Sequence, residues 1–267
     1  PTVPKLAYTS SHYKSSLPTL AISGVSLGLH FSAWVWSISH TTLAHSLLCV
    51  SMHPIVLNLV GHFRHRFRGG PRPRVMETAG TWVGILGCCI MLLDVTSGSS
   101  DASATSDPDA VTSPTLIGDF VAFLGALAMS VYLLCGESVR RPPPGFPSPP
   151  PIPLWLYAFP VTLVASVTCL SLALLSRPSS ISLYDPLDLG SSALGFASPA
   201  YAPMCLYLGG ASGVGGHTLI NTLLAHLTPT VVGTSLLAEP VIGGVIGFLA
   251  GVQGVPGGWT WGGGAGL

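Results

Sequence analysis

Charge is what this sequence has least of. Asp, Glu, Lys and Arg together make up 7% of its 267 residues, against about 25% in ordinary soluble domains. A water-facing surface for a chain of this length cannot be assembled from so few charges. The formal net charge is zero, so the overall balance gives no reason to expect a nucleic-acid partner. C-x-x-C pairs are also missing. Cys49, Cys88, Cys89, Cys135, Cys169 and Cys205 all fall within apolar stretches, which excludes a secreted disulfide framework and points to small buried side chains. His30, His40, His45, His53 and His62 invite a zinc site, but no H-E-x-x-H or comparable pair is present to bring three or four ligands together. Neither a metal nor a cofactor is expected.

Apolar residues fill the space that charge leaves: 48% of the chain is hydrophobic and the mean hydropathy is +0.61. The expected class is an all-α integral membrane protein with the lipid bilayer as its principal surroundings. Apolar segments run at about Pro18–Ser39, Thr42–Phe63, Thr78–Ser97, Thr115–Glu137, Leu154–Ser176, Ala202–Leu227 and Pro229–Gly251, with another beginning at Trp259. Residues 1–16 read as a polar tail. Residues 98–114 have no apolar periodicity and read as a solvated, extracytoplasmic linker. Residues 142–153 are a proline-rich spacer of polyproline-II character.

Threading these segments places Lys5, Lys14, Arg64, Arg66, Arg68, Arg72, Arg74, Arg140 and Arg141 on one side and Arg177 alone on the other. The basic loops 64–74 and 140–141 are therefore expected in the cytoplasm, with the protein in the plasma membrane or an organellar membrane.

The segment PTVVGTSLLAEPVIGGVIGFLAG, residues 229–251, carries Glu239 and Pro240 at its midpoint. A charged residue at the bilayer centre costs roughly 2.5–3.5 kcal/mol on insertion scales, so it should face protein or a wet cavity. Pro240 lacks the N–H that Leu236 would receive, which weakens the helix beside the acid. Ser235, Glu239, Gly243, Gly247 and Gly251 recur every fourth residue and form a stripe for close helix packing.

Sliding the chain against itself by 186 residues pairs Gly24 with Gly210, Ser26 with Ser212, His40 with His226, Thr42 with Thr228 and Pro54 with Pro240. Both copies read as a glycine-containing helix, a tight turn and a helix broken by a central proline. An odd helix count between them sets them in opposite membrane orientations, an architecture of secondary transporters. The runs LGLHFSAWVWSISHTTLAHSLLCVSMHPIVLNLVGHF and GHTLINTLLAHLTPTVVGTSLLAEPVIGGVIGFLAG resemble the third and fourth, and the eighth and ninth, helices of the drug/metabolite transporter superfamily, EamA-type members in particular. That resemblance implies a bundle of two inverted five-helix repeats, with the first two helices missing and the last truncated. Residues 1–97 would be the partial first repeat and residues 115–267 the second. Where the family has an acid before the first-copy proline, this chain has His53.

The candidate substrate-binding residues are His30, Trp34, His53, Tyr132, His217, Asn221 and Glu239, with Pro54 and Pro240 as helix breaks. Glu239 leads as a proton-titrating or cation-pairing group. His30 and Trp34, like His217 and Asn221, are one turn apart and would line one pathway. The expected function is a secondary transporter moving a small organic metabolite by alternating access, with proton coupling and homo-oligomer formation left open. The alternative is a non-transporting membrane scaffold or degenerate paralogue. An enzyme is not expected. Ser212 lies about 21 Å in height from His226 on a regular α-helix and about 140° around it from His217, so neither pair makes a nucleophile and base.

Overall fold

The computed structural model describes residues 10–41, 43–98, 115–141, 151–177, 181–183, 185, 192, 194–238 and 242. All regular structure among them is helical. The helices are α1 (Ser10–Ile38), α2 (Leu43–Val50), α3 (His53–Arg68), α4 (Val75–Gly98), α5 (Leu116–Arg140) and α6 (Leu154–Leu175). After two short 3-10 turns come α7 (Ala202–Tyr207), a π-helix at Leu208–His217, α8 (Thr218–Leu223), α9 (Pro229–Ser235) and a 3-10 turn at Leu236–Ala238.

Among the described residues, four stretches are long and apolar enough to cross a membrane: Tyr13–Ile38, His45–Arg68, Leu116–Arg140 and Leu154–Leu175. The last has a mean hydropathy of 2.1, yet only 17% of its apolar window is covered by protein. Trp155, Phe159, Leu163, Val167 and Leu170 all project outward from it. An apolar helix whose large side chains face away from the protein is patterned for lipid, not water.

Several boundaries differ from those read in the sequence. Helix α1 begins at Ser10, so Lys14 is helical and not part of a polar tail. Helix α3 continues through His65, Arg66 and Arg68, because cations in a last turn meet the negative end of the helix dipole. Gly69, at φ +64°, then ends it in the left-handed conformation that glycine accepts without a Cβ clash. The segment expected as one regular α-helix from Ala202 to Leu227 is instead α-wound, then π-wound, then α-wound again, and ends at Leu223. Five glycines in the run LGGASGVGGH explain the change, since glycine lowers α-helix stability by about 1 kcal/mol per residue relative to alanine. The angular separation assigned to Ser212 and His217 assumed α winding and does not carry over to an i→i+5 helix. Ser212 is exposed, and among the described residues no hydrogen bond joins it to either histidine.

The chain folds as two compact units. One comprises residues 1–29 and 134–226, the other residues 30–133 and 227–267. In the first, α1 lies against α6 at two glycines. A Cβ at Gly24 would stand 2.6 Å from Val164 Cβ, and one at Gly28 would stand 2.6 Å from Thr168 Cβ. Ser23 and Tyr157 share a buried 2.7 Å hydrogen bond beside this contact, and the Cys169 thiol donates to the Gly28 carbonyl. In the second unit, α4 packs on α2, α3 and α9, and α3 packs on α9.

Candidate functional site

The second unit holds His30, Trp34, His53 and Tyr132; the first holds His217 and Asn221. Glu239 and Pro240 lie outside the described residues, as do Gly243, Gly247 and Gly251 of the small-residue stripe.

The helical run from Leu43 breaks at Ser51–Met52 and restarts at His53. Pro54 sits in the first turn of the new helix, where a missing N–H leaves no intrahelical bond unmade. The break exposes the Val50 carbonyl, and His53 Nδ1 donates to it at 3.3 Å. His53 is buried, and its Nε2 has no hydrogen bond of good geometry. The Gly233 backbone of α9 comes up against this ring edge: a Cβ on Gly233 would be 3.1 Å from His53 Cδ2. From α5, Ser130 Oγ donates towards the His53 carbonyl at 3.3 Å and towards its own Ala126 carbonyl at 2.9 Å. Tyr132, two residues further on α5, is fully buried.

On α1, His30 Nδ1 donates to the Gly125 carbonyl at 3.0 Å, and its imidazole is near enough to His53 to be felt electrostatically. One turn later the Trp34 indole N–H is buried without an acceptor. Among the described residues of this unit, the Trp34 indole N–H is a buried donor without a partner, while His53 Nε2 lies beside the Gly233 backbone. A buried donor left unpaired costs about 1–3 kcal/mol. Ser130 and Gly233 were not singled out in the sequence. Their only local signal is a hydroxyl and a glycine within apolar runs.

A second cluster joins the end of α1 to the first turns of α2 and α5. Asp119 receives Thr41 Oγ1 on Oδ1 at 2.6 Å and His45 Nδ1 on Oδ2 at 3.1 Å. Asp119 is not among the candidate residues read from the sequence.

In the first unit, Asn221 is buried one turn beyond His217. Its backbone carbonyl accepts from Arg140 Nε at 3.2 Å, while Arg140 Nη1 donates to the Ile152 carbonyl at 2.5 Å. Arg140 is accordingly not the free loop cation that the sequence suggested. It is the last residue of α5, buried, and it ties off carbonyls that would otherwise be unmade. Arg141 next to it is exposed.

One solved structure, named only as "Crystal structure of protein", is similar over 94% of this chain and 76% of its own, with a TM-score of 0.57 and 20% sequence identity. At that identity the likeness is one of fold alone. No protein-family model and no curated protein matches the chain.

Proposed function

We propose that this chain is a multi-pass secondary transporter of the EamA type, built on two inverted repeats and moving a small polar organic metabolite by alternating access. The observation that carries the proposal is the packing of α3, which starts at the Pro54 break, on α9, which the 186-residue offset pairs with the preceding α2. The broken helix containing Pro54 and the segment Pro229–Ala238 lie against each other, with Gly233 on His53. Discontinuous helices meeting within a membrane protein are where transporters build their substrate sites.

Two further features support the reading. Trp34 Nε1 presents a buried donor inside otherwise apolar packing, which suits a polar group on the substrate. The outward apolar faces of α5 and α6 suit a bilayer around the bundle. Within the second unit His30, Tyr132 and Glu239 complete the proposed substrate-binding set.

The test is uptake of a metabolite panel by the purified chain in liposomes, with and without an imposed pH gradient. Saturable uptake of at least one compound is expected. Trp34→Phe, which removes the unpaired N–H along with part of the ring, should lower uptake by about fivefold or more if that donor holds substrate. Glu239→Gln should flatten the dependence on the gradient. A panel with no saturable uptake in a folded, correctly inserted protein would favour the scaffold alternative.

A further inference from the structure

The reversal between α3 and α4 builds a feature that the transport reading does not use. From His53 to Met76 the chain contains no acid, while Arg64, Arg66, Arg68, Arg72 and Arg74 fall within eleven residues, next to His62 and His65. Gly69 turns the chain, Gly70 N–H returns to the Arg64 carbonyl, and His65 Nδ1 donates to the Gly70 carbonyl at 2.9 Å. The returning strand then lies along α3, so that a Cβ on Gly61 would be 3.3 Å from Pro73 Cγ.

Between that strand and the start of α4 is an open groove of about 270 Å³, lined by His62, Arg72, Pro73, Val75, Thr78 and Ala79. Arg72 supplies its cation, with the His62 imidazole beside it. His62 is steadied by Nδ1 donating to the Asn58 carbonyl, and Thr78 Oγ1 by accepting from Asn58 Nδ2. One wall continues down α4. Val75 and Ala79 are followed, at helical spacing, by Trp82, Val83 and Leu86, all exposed. At 1.5 Å per residue this apolar track is about 17 Å long, close to half of a hydrocarbon core of about 30 Å. On the α3 side, exposed Phe63 and Phe67 meet at a tilt with ring centroids 4.7 Å apart, and Arg66 lies over Phe67. Aromatic rings with arginine beside them suit the headgroup level of a bilayer.

We propose that this groove is a binding site for an anionic phospholipid, its phosphate held by Arg72 and His62 and one acyl chain laid along Ala79, Val83 and Leu86. Charge complementarity selects an anion, and the apolar track selects a lipid over a soluble phosphate, which would leave that track uncovered. The site needs the bilayer placement proposed above but does not depend on transport.

Native mass spectrometry of the full chain released from nanodiscs tests it, with dioleoyl phosphatidic acid, dioleoyl phosphatidylcholine and glycerol 3-phosphate as probes. Phosphatidic acid should be retained about tenfold over phosphatidylcholine and about tenfold over glycerol 3-phosphate. Arg72→Gln should lower its retention about fivefold, as expected for losing one cation at an anionic surface. Arg66→Gln, outside the groove, should lower it less than twofold. Ala79→Glu, which keeps every arginine and sets an acid in the wall, should reproduce the Arg72→Gln loss. Equal effects of Arg66→Gln and Arg72→Gln would reduce the site to diffuse surface charge and overturn the proposal. Glycerol 3-phosphate binding as tightly as the lipid would overturn it in favour of a soluble phosphate.

Discussion

Gly233 of α9 packs tightly on His53 of α3: a Cβ there would be 3.1 Å from His53 Cδ2 and 3.0 Å from Leu57 Cδ1. Leu57 is a flexible side-chain end and can yield slightly, whereas the His53 ring is tied to Val50. Gly233→Ala should therefore cost little and Gly233→Val about 1–3 kcal/mol, the usual range for overpacking. Thermal unfolding of the purified protein in detergent reads the difference. Equal midpoints for the wild type and the valine variant would show that the contact is looser than described.

The α1–α6 contact is less forgiving. At Gly24 an added Cβ would meet the Val161 backbone carbonyl at 2.8 Å, and at Gly28 the Ala165 carbonyl at 2.8 Å. Backbone cannot rotate away as a side-chain tip can, so alanine alone should force the helices apart at either position. We expect Gly24→Ala and Gly28→Ala each to destabilise by about 1–3 kcal/mol. Thermal midpoints unchanged from wild type would contradict this.

Ser23 and Tyr157 exchange a 2.7 Å hydrogen bond at fully buried positions. Ser23→Ala and Tyr157→Phe should each cost about 0.5–1.5 kcal/mol. In a double-mutant cycle the pair should cost less than the sum of the singles, because each single change already removes the shared bond. Strict additivity would mean that the two hydroxyls are satisfied elsewhere.

Asp119 ties α1 to α2 and α5 through Thr41 and His45. Asp119→Ala removes both acceptors at once, while Thr41→Val removes one donor to Asp119 and the acceptor of the Thr115 N–H, and leaves the His45 pair. The alanine variant should be the less stable of the two, by about 1 kcal/mol. Faster trypsin cleavage of Asp119→Ala after the cations near the α3 terminus would also indicate that the unit has loosened. Matching stability and cleavage for the two variants would show that His45 adds nothing.

Hydropathy located α5 and α6 to within a few residues, and α1 and the α2–α3 run less closely, because membrane-length apolar character is a sum over consecutive residues and needs no knowledge of neighbours. Local composition failed where it was ambiguous. Polar residues before Pro18 were read as a tail, yet Ser10–Leu17 is helical, since polar residues form a helix once its remainder is anchored. The glycine run at 208–217 looked like an ordinary helix because hydropathy is blind to winding. Of the candidate site, the residue types His30, Trp34, His53 and Tyr132 were legible as polar or amphipathic groups in apolar runs. The roles of Ser130 and Gly233 were not, because each depends on what lies across a helix contact.

By itself the sequence determined the class of the molecule, the places of its apolar helices and the concentration of cations after α3, all of which follow from residues read a few at a time. Only the tertiary structure decided that Asp119 belongs with His45, 74 residues away, that Arg140 is spent on the carbonyls of Asn221 and Ile152, and that His53 lies beside Gly233. Those facts turn on which helices become neighbours. That choice is made by small gains summed over whole contact faces, and no single stretch of chain contains it.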